Sequence, residues 1–420
     1  MGVKQKSKKL EDCVSKEKNI LCKMATSVIL GLMYSMDRVF LYKCNNYNKT
    51  EVDKVIRQLV NTFDVLRNIR IGSRVIIKAN LVSAMEPCKA ATTHPILLAA
   101  ITEYLHSKKC AVVIGDSPGG VYTKTYLNHV YTITKMHETG AELNNDFSTK
   151  KAVFEKAKVL KSFEYTAYLD DCDLLINFSK LKTHGMMGMS CAVKNLFGTI
   201  PGTLKPEYHY RFPNHSDFAN MLIDLNEYFK PAINIVDAIV GMEGNGPTMG
   251  DAKNIGCILA SQNPYALDYI CAQIIGLGIN DVETVKQSKQ RHLFDENKIW
   301  LNDNVDNYIV RDFNVKREAK SLMFFSNKNG FFSRMVAFGA SKLFTNKPYL
   351  KKNKCIGCGK CAKICPAKAI VIDNKKAKID RGKCIKCYCC QEFCPVGAMV
   401  VKSSLIMSLL HKNKIKERRK

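Results

Sequence analysis

The chain has 420 residues, 46% of them hydrophobic, enough for two to four domains with real cores and incompatible with disorder as the dominant state. Its formal charge of +26 would suit a nucleic-acid binder, but residues 1–23 carry +4, residues 347–394 carry +10 and residues 402–420 carry +6, leaving +6 for everything else. A main body with so small an excess has no broad basic face, so nucleic acid is not an expected partner. The longest uncharged runs, such as residues 24–36 and 254–267, reach 14 residues, short of the roughly 18–20 that span a bilayer. Acids at Glu11, Asp12 and Glu17 among the first lysines argue against a cleaved signal peptide. A cytoplasmic location is expected.

In chain order, a basic N-terminal extension (residues 1–36) leads into alternating strand-like and helix-like runs. The strands are Val39–Tyr42, Arg74–Ala79, Ala111–Ile114, Asp173–Phe178, Ile233–Val236 and Asn254–Ala260. Between them, Thr50–Leu66 places Val52, Val55, Ile56, Leu59 and Phe63 at helical spacing. Pro95–Leu105 and Ser216–Phe229 share that period, and Pro264–Ile275 begins with a proline, as helices often do. Strand–helix alternation predicts an α/β domain over residues 37–325, a mixed or parallel sheet with flanking helices. Residues 326–350, with Phe331, Phe332, Met335, Phe338, Leu343 and Phe344 among basic residues, read as an amphipathic linker. The basic tail, residues 401–420, reads as a solvated helix end, with peripheral membrane contact as a second use of its charge.

The segments after the strands mix glycine with charge. Arg74–Ala79 runs into Asn80, and Ala111–Ile114 into Gly115, Asp116 and Ser117. Asp173–Phe178 is followed by a loop carrying Lys182 and His184, and Ile233–Val236 by one carrying Glu243 and Asn245. Open α/β sheets bind ligands outside the carboxyl ends of their strands, so these loops should converge on one concave surface. Lys182, His184, Arg211 and Glu243 are the candidate catalytic residues: Lys182 and Arg211 to hold negative charge, His184 or Glu243 to move protons. Asn80, Asp116, Ser117, Lys194, Asn195, His209 and Asn245 are the candidate substrate-binding residues. No Walker loop, dinucleotide G-x-G-x-x-G or G-x-S-x-G elbow is present.

Nine of the 18 cysteines crowd into residues 355–394. Cys355, Cys358, Cys361 and Cys365 follow C-x2-C-x2-C-x3-C and precede Pro366; Cys384, Cys387, Cys390 and Cys394 repeat the pattern 29 residues later and precede Pro395. In this pattern three close thiolates reach three irons of one cubane and the fourth reaches the other cluster. The expected ligands are Cys355, Cys358, Cys361 and Cys394 for one [4Fe-4S] cluster, and Cys384, Cys387, Cys390 and Cys365 for the second. Zinc takes four ligands, usually as two CxxC pairs, and fits a duplicated triplet-plus-one poorly. Cys389 falls outside the pattern. Residues 351–400 are thus expected to be a small α+β domain, and they resemble the bacterial two-cluster ferredoxins.

Several long segments of the main body also resemble one family. They are KANLVSAMEPCKAATTHP (78–95), VVIGDSPGG (112–120), KLKTHGMMGMSCAVKNLFGTIPG (180–202), EYHYRFPNHSDFANMLIDLN (207–226) and IVGMEGNGP (239–247). Together they are similar to domain of unknown function 362, an iron–sulfur-centre-associated α/β family. The resemblance implies a fold and an anaerobic redox context; it supplies no reaction and names no further cofactor. The expected function is an iron–sulfur oxidoreductase that passes electrons from two [4Fe-4S] clusters to a small-molecule substrate or cofactor at the strand-end crevice. It would be served by a redox partner protein. The alternative is a non-catalytic electron carrier or cluster-delivery protein whose α/β domain docks a partner. A pocket lined by Lys182, His184, Arg211 and Glu243 would favour the enzyme, and a flat surface the carrier.

Overall fold

The computed structural model describes residues 36–315 and 347–402. Almost all of the expected N-terminal extension, of the linker and of the basic tail, and residues 316–325 of the expected α/β domain, lie outside the described residues. No helix among the described residues is long and apolar enough to cross a membrane.

The main domain contains β1 (Asp37–Lys43), β2 (Arg74–Lys78), β3 (Ala111–Gly115), β4 (Glu142–Leu143), β5 (Thr149–Val153), β6 (Ser162–Thr166), β7 (Leu174–His184), β8 (Gly188–Ser190), β9 (Ile233–Glu243), β10 (Asp251–Ser261) and β11 (Ile299–Leu301). One mixed sheet runs in the order β11-β1-β10-β9-β7-β2-β3-β4, with β8 added to the end of β7, and β5 and β6 form a separate hairpin. The run β9-β7-β2-β3-β4 is parallel, whereas β10 is antiparallel to both β9 and β1. From β2 the chain goes first to β3 on one side and later to β7 on the other. This reversal opens a crevice at the carboxyl ends of β2 and β7.

Helices cover both faces. Lys49–Thr62 and Pro95–Ser107 bury Val52, Leu59, Leu97 and Ile101 against one face, and His215–Phe229 and Pro264–Ile274 bury Phe218, Leu222, Leu267 and Ile270 against the other. Each such side chain contributes about 1.5–3 kcal/mol on leaving water. Asn48 and Asn263 cap their helices with side-chain oxygens that accept from two backbone N–H groups. The helix expected over Thr50–Leu66 breaks at Phe63, whose backbone is extended, and Asp64–Arg67 continues as a separate turn.

Two expected loops are strand. β7 continues through Ser179–His184, with every residue buried, and β9 continues through Asp237–Glu243. Charge at alternate positions (Lys180, Lys182, His184) disguised the first, and Asp237 with Gly241 the second. Lys180 lies directly opposite Asp237 in the β7–β9 register, and its Nζ donates to Asp237 Oδ2 at 2.8 Å and to the Tyr47 hydroxyl at 2.7 Å. Paired inside the sheet, these charges take the places that apolar residues usually occupy.

The C-terminal module contains β12 (Lys347–Leu350), β13 (Ile370–Asp373), β14 (Lys376–Ile379) and β15 (Met399–Lys402), paired antiparallel as β12–β15 and β13–β14, with short helices Lys360–Lys363 and Cys389–Glu392. It packs on the crevice end of the main domain. Phe393 lies against Gly119, and Tyr388 and Val401 lie against Gly185 and join the main core. Gln391 is fully buried, and its Nε2 donates to the carbonyls of Asn245 (2.8 Å) and Gly246 (3.1 Å).

Candidate functional site

A cavity of about 580 Å³ lies between the two parts. The main domain supplies Asn80 and the segment after β2, Asp116 after β3, Lys182 near the end of β7, and the helices bearing Lys194, Asn195, Lys205 and His209. The module supplies Lys360, Cys389, Glu392, Phe393, Cys394 and Pro395.

The polar floor is braced from below. Lys78 Nζ meets Asp116 Oδ1 at 2.7 Å with both side chains buried, and Asp116 Oδ2 accepts from Leu81 N at 2.7 Å. Asn195 Nδ2 donates to the Lys78 carbonyl (3.2 Å) and to Asn177 Oδ1 (2.8 Å), and its Oδ1 accepts from Lys78 Nζ. Gly198 allows this close packing, because a Cβ there would run into both Asp116 and Lys78.

Cations dominate the walls. Lys182 Nζ donates only to neutral oxygens, Asn80 Oδ1 and the Ala91 carbonyl, each at 2.6 Å. Lys205 Nζ donates to the Ser117 carbonyl and lies over the Phe197 ring, 5.5 Å from its centroid. Lys194 makes no hydrogen bond or ion pair with any described residue; its Nζ lies over the Phe197 ring, 5.7 Å from the centroid, within electrostatic reach of Glu392 and Asp116. Burial, with the like charge of Lys194, pushes Lys182 down to about 7. Burial also pulls Lys205 down to about 7, against the pull of Asp116, and lowers Lys194.

His209, in the cavity wall, and His184, behind it, are both neutral. Burial holds His209 down to about 3; its Nδ1 has no hydrogen-bond partner among the described residues, and its ring stacks on Phe218 at 4.4 Å. Burial holds His184 down to about 4. His184 Nδ1 accepts from Met186 N and Met187 N at 3.1 and 3.2 Å, which leaves the proton on Nε2, 3.0 Å from Glu392 Oε1. Burial alone would raise Glu392, but the His184 hydrogen bond and the Lys194 charge outweigh it and keep the group a carboxylate.

Of the expected residues, Asn80, Asp116, Lys182, Lys194, Asn195 and His209 surround this one cavity. His184 stands behind it and reaches it through Glu392. Ser117 is buried in the loop beneath, its Oγ accepting from Gly202 N at 2.8 Å. Asn245 holds the module instead of a ligand: besides its carbonyl bond to Gln391, its Oδ1 accepts from Val401 N at 3.2 Å. Arg211 and Glu243 do not belong to the cavity, contrary to expectation. Arg211 is exposed, donates to the Ser162 carbonyl at 3.2 Å and lies over Phe212. It is two residues past His209, and positions i and i+2 of a helix do not share a face. Glu243 ends β9 away from the cavity, where its Oε2 accepts from Asn314 N at 2.7 Å.

Lys205 and Glu392 were missed from sequence. Lys205 opens a helix beside Pro206, and nothing local to it indicates an anion. Glu392 did carry a signal, as the only acid inside either cysteine motif of a strongly basic module.

The cysteines gather as their repeat suggests. Cys355, Cys358, Cys361 and Cys394 line one small cavity. Cys384 lies within electrostatic reach of Cys387 and Cys365, and Cys390 of Cys387 and Cys384. Equivalent positions of the two repeats behave alike. Gly357 and Lys386, and Gly359 and Tyr388, all take left-handed backbone; Ala369 N and Ala398 N donate to the sulfurs of Cys365 and Cys394, at 3.2 and 3.1 Å. Such N–H···S bonds favour thiolates in a cluster.

Residues 75–273 match the family described as domain of unknown function DUF362. Most of the main domain thus matches DUF362. Residues 354–398, which include all eight motif cysteines, match the 4Fe-4S dicluster domain, so the module that closes the cavity of the main domain is an iron–sulfur electron-transfer unit. The thylakoid-associated protein sll1697 of Synechocystis sp. is 28% identical over 257 residues, 59% of this chain and 77% of that protein. Among solved structures, the lactate racemase apoprotein from Thermoanaerobacterium thermosaccharolyticum aligns at 12% identity with a TM-score of 0.37, over 57% of each chain.

Proposed function

We propose that the protein is an iron–sulfur reductase of a small anionic substrate. Cys355, Cys358, Cys361 and Cys394 would hold one [4Fe-4S] cluster, and Cys384, Cys387, Cys390 and Cys365 the other. Bound there, the clusters would supply electrons one at a time beside the cavity.

One observation carries the reading. The Lys194 ammonium sits in the cavity with no acceptor among the described residues. Lys194 is half-buried, and the carboxylates within its electrostatic reach, Glu392 and Asp116, are engaged by His184 and Lys78; a carboxylate or phosphate in the cavity would supply the acceptor that its ammonium lacks. Lys194 anchors the anion, with Lys182 and Lys205 flanking it. A two-electron reduction takes up two protons, and Lys182 and Lys205, both held near 7, are ammonium groups from which protons leave readily at neutral pH. Val82, Met85, Phe197 and Met249 give the remaining wall an apolar character that suits a hydrocarbon body. A cavity at the strand ends, in place of a flat surface, supports the enzyme over the carrier or cluster-delivery reading, although of Lys182, His184, Arg211 and Glu243 only Lys182 lines it.

The test is anaerobic. The reconstituted, photoreduced protein is mixed with a panel of small carboxylates and phosphate esters, and reoxidation is followed by cluster absorbance. At least one compound should reoxidise the wild type, at a rate that falls as pH rises through about 7. Lys194→Gln should lose that reaction while keeping its absorbance, and Lys182→Met should lose the alkaline limb. Equal rates in Lys194→Gln and wild type would refute the assignment.

A further inference from the structure

We infer that the module face around Cys358 is a docking surface for a small, acidic, one-electron carrier protein. This rests on the cluster half of the reading above and not on the substrate cavity. Of the eight motif cysteines Cys358 alone is exposed; Cys361, Cys387, Cys390 and Cys394 are buried and the others half-buried. The helix Cys389–Glu392 is turned into the main domain, whereas the Cys358 side of the module is exposed.

That face has the composition of an interface. Ile356 and Ile372, 63% and 37% exposed, line the same small cavity as Cys355, Cys358, Cys361 and Cys394, and Val371 beside them is 58% exposed. Exposed apolar residues grouped this way mark contact sites. Lysines border them. Lys351, Lys352 and Lys354 are exposed in the turn that enters Cys355, and the backbone of exposed Lys375 packs against Gly357.

Charge selects the occupant. A second copy of this chain carries +26, and residues 1–23 and 402–420 carry +4 and +6; all would be repelled by a lysine-bordered patch. An acidic partner is attracted, and such complementarity raises the rate of encounter more than the final affinity. In the transfer the carrier loses one electron and the protein gains one, and no bond is made or broken.

Stopped-flow reduction of the reconstituted full chain tests this, with reduced flavodoxin as the acidic probe and photoreduced deazariboflavin as a small neutral control. The triple variant Lys351→Glu/Lys352→Glu/Lys354→Glu should slow flavodoxin about 10-fold or more and leave the control reductant and the cluster absorbance unchanged. Raising salt from about 10 to about 200 mM should act on the wild type in the same direction. A triple variant with the same charge change on the main domain, Lys156→Glu/Lys158→Glu/Lys161→Glu, should slow flavodoxin far less. Equal slowing by both triples, or a flat salt response, would overturn the surface. So would a concentration-dependent dimer that the first triple abolishes, since a second copy would then own the face.

Discussion

His184 Nε2 stands 3.0 Å from Glu392 Oε1, and neither atom has another partner among the described residues. The contact joins the last residue of β7 to the helix between two motif cysteines, so one imidazole belongs both to the central strand and to the docking of the module.

Removing that imidazole should loosen the joint without emptying the module. A buried carboxylate deprived of its partner costs about 3–5 kcal/mol, a cost the protein can avoid by exposing Glu392. In His184→Ala, hydrogen exchange over residues 389–395 and 245–249 should accelerate while iron content holds. His184→Gln, which keeps a donor, should restore much of the protection. Unchanged exchange in His184→Ala would show that the pair does not hold the module.

Gly198→Ala should be among the most damaging single-methyl additions. The new Cβ would collide with Asp116 Oδ1 and Lys78 Nζ and force apart a fully buried pair. About 3 kcal/mol or more of unfolding free energy should be lost, read as a fall in the urea midpoint at constant slope.

His209 sets a sign for pH dependence. The native state keeps it neutral down to about 3, whereas the unfolded chain protonates it near its ordinary value of about 6.5. The unfolded state therefore binds the extra proton, and stability falls as pH drops through that window. Between pH 7 and pH 5 the loss from this residue should be about 2 kcal/mol. His209→Phe, which can keep the stack on Phe218, should show a correspondingly smaller loss than wild type in urea titrations at the two pH values.

Anaerobic reconstitution should yield about eight irons and eight acid-labile sulfides per chain. Cys389→Ser should retain them, because Cys389 lies outside the repeat, and Cys390→Ser should not. Zinc as the stoichiometric metal would contradict the assignment of all eight ligands.

The sequence was legible where pattern is local. The 29-residue cysteine repeat, the alternation of strands and helices and the helix starts at Pro95 and Pro264 all rest on neighbours in the chain. Legibility failed where charge is neutralised at a distance. Lys180 reads as a loop residue until Asp237, 57 residues on, is seen facing it. Lys205 and Glu392 owe their place at the cavity to contacts that no window of sequence contains. Arg211 misled for the converse reason: its residue type suits an anion, but the helix turns it to solvent.

The 29-residue repeat also explains why the module docks one way round. Its two halves are related copies, and each could offer its short helix to the main domain. In the second copy that helix reads Cys389-Cys390-Gln391-Glu392 and meets Asn245, Gly246 and His184 through Gln391 and Glu392. The first copy has Ala362 and Lys363 at the matching positions. Ala362 has no amide to give, and Lys363 would bring another cation to a cavity already rich in lysine. Two substitutions between duplicated halves thus turn a nearly symmetric body into a key with a single orientation.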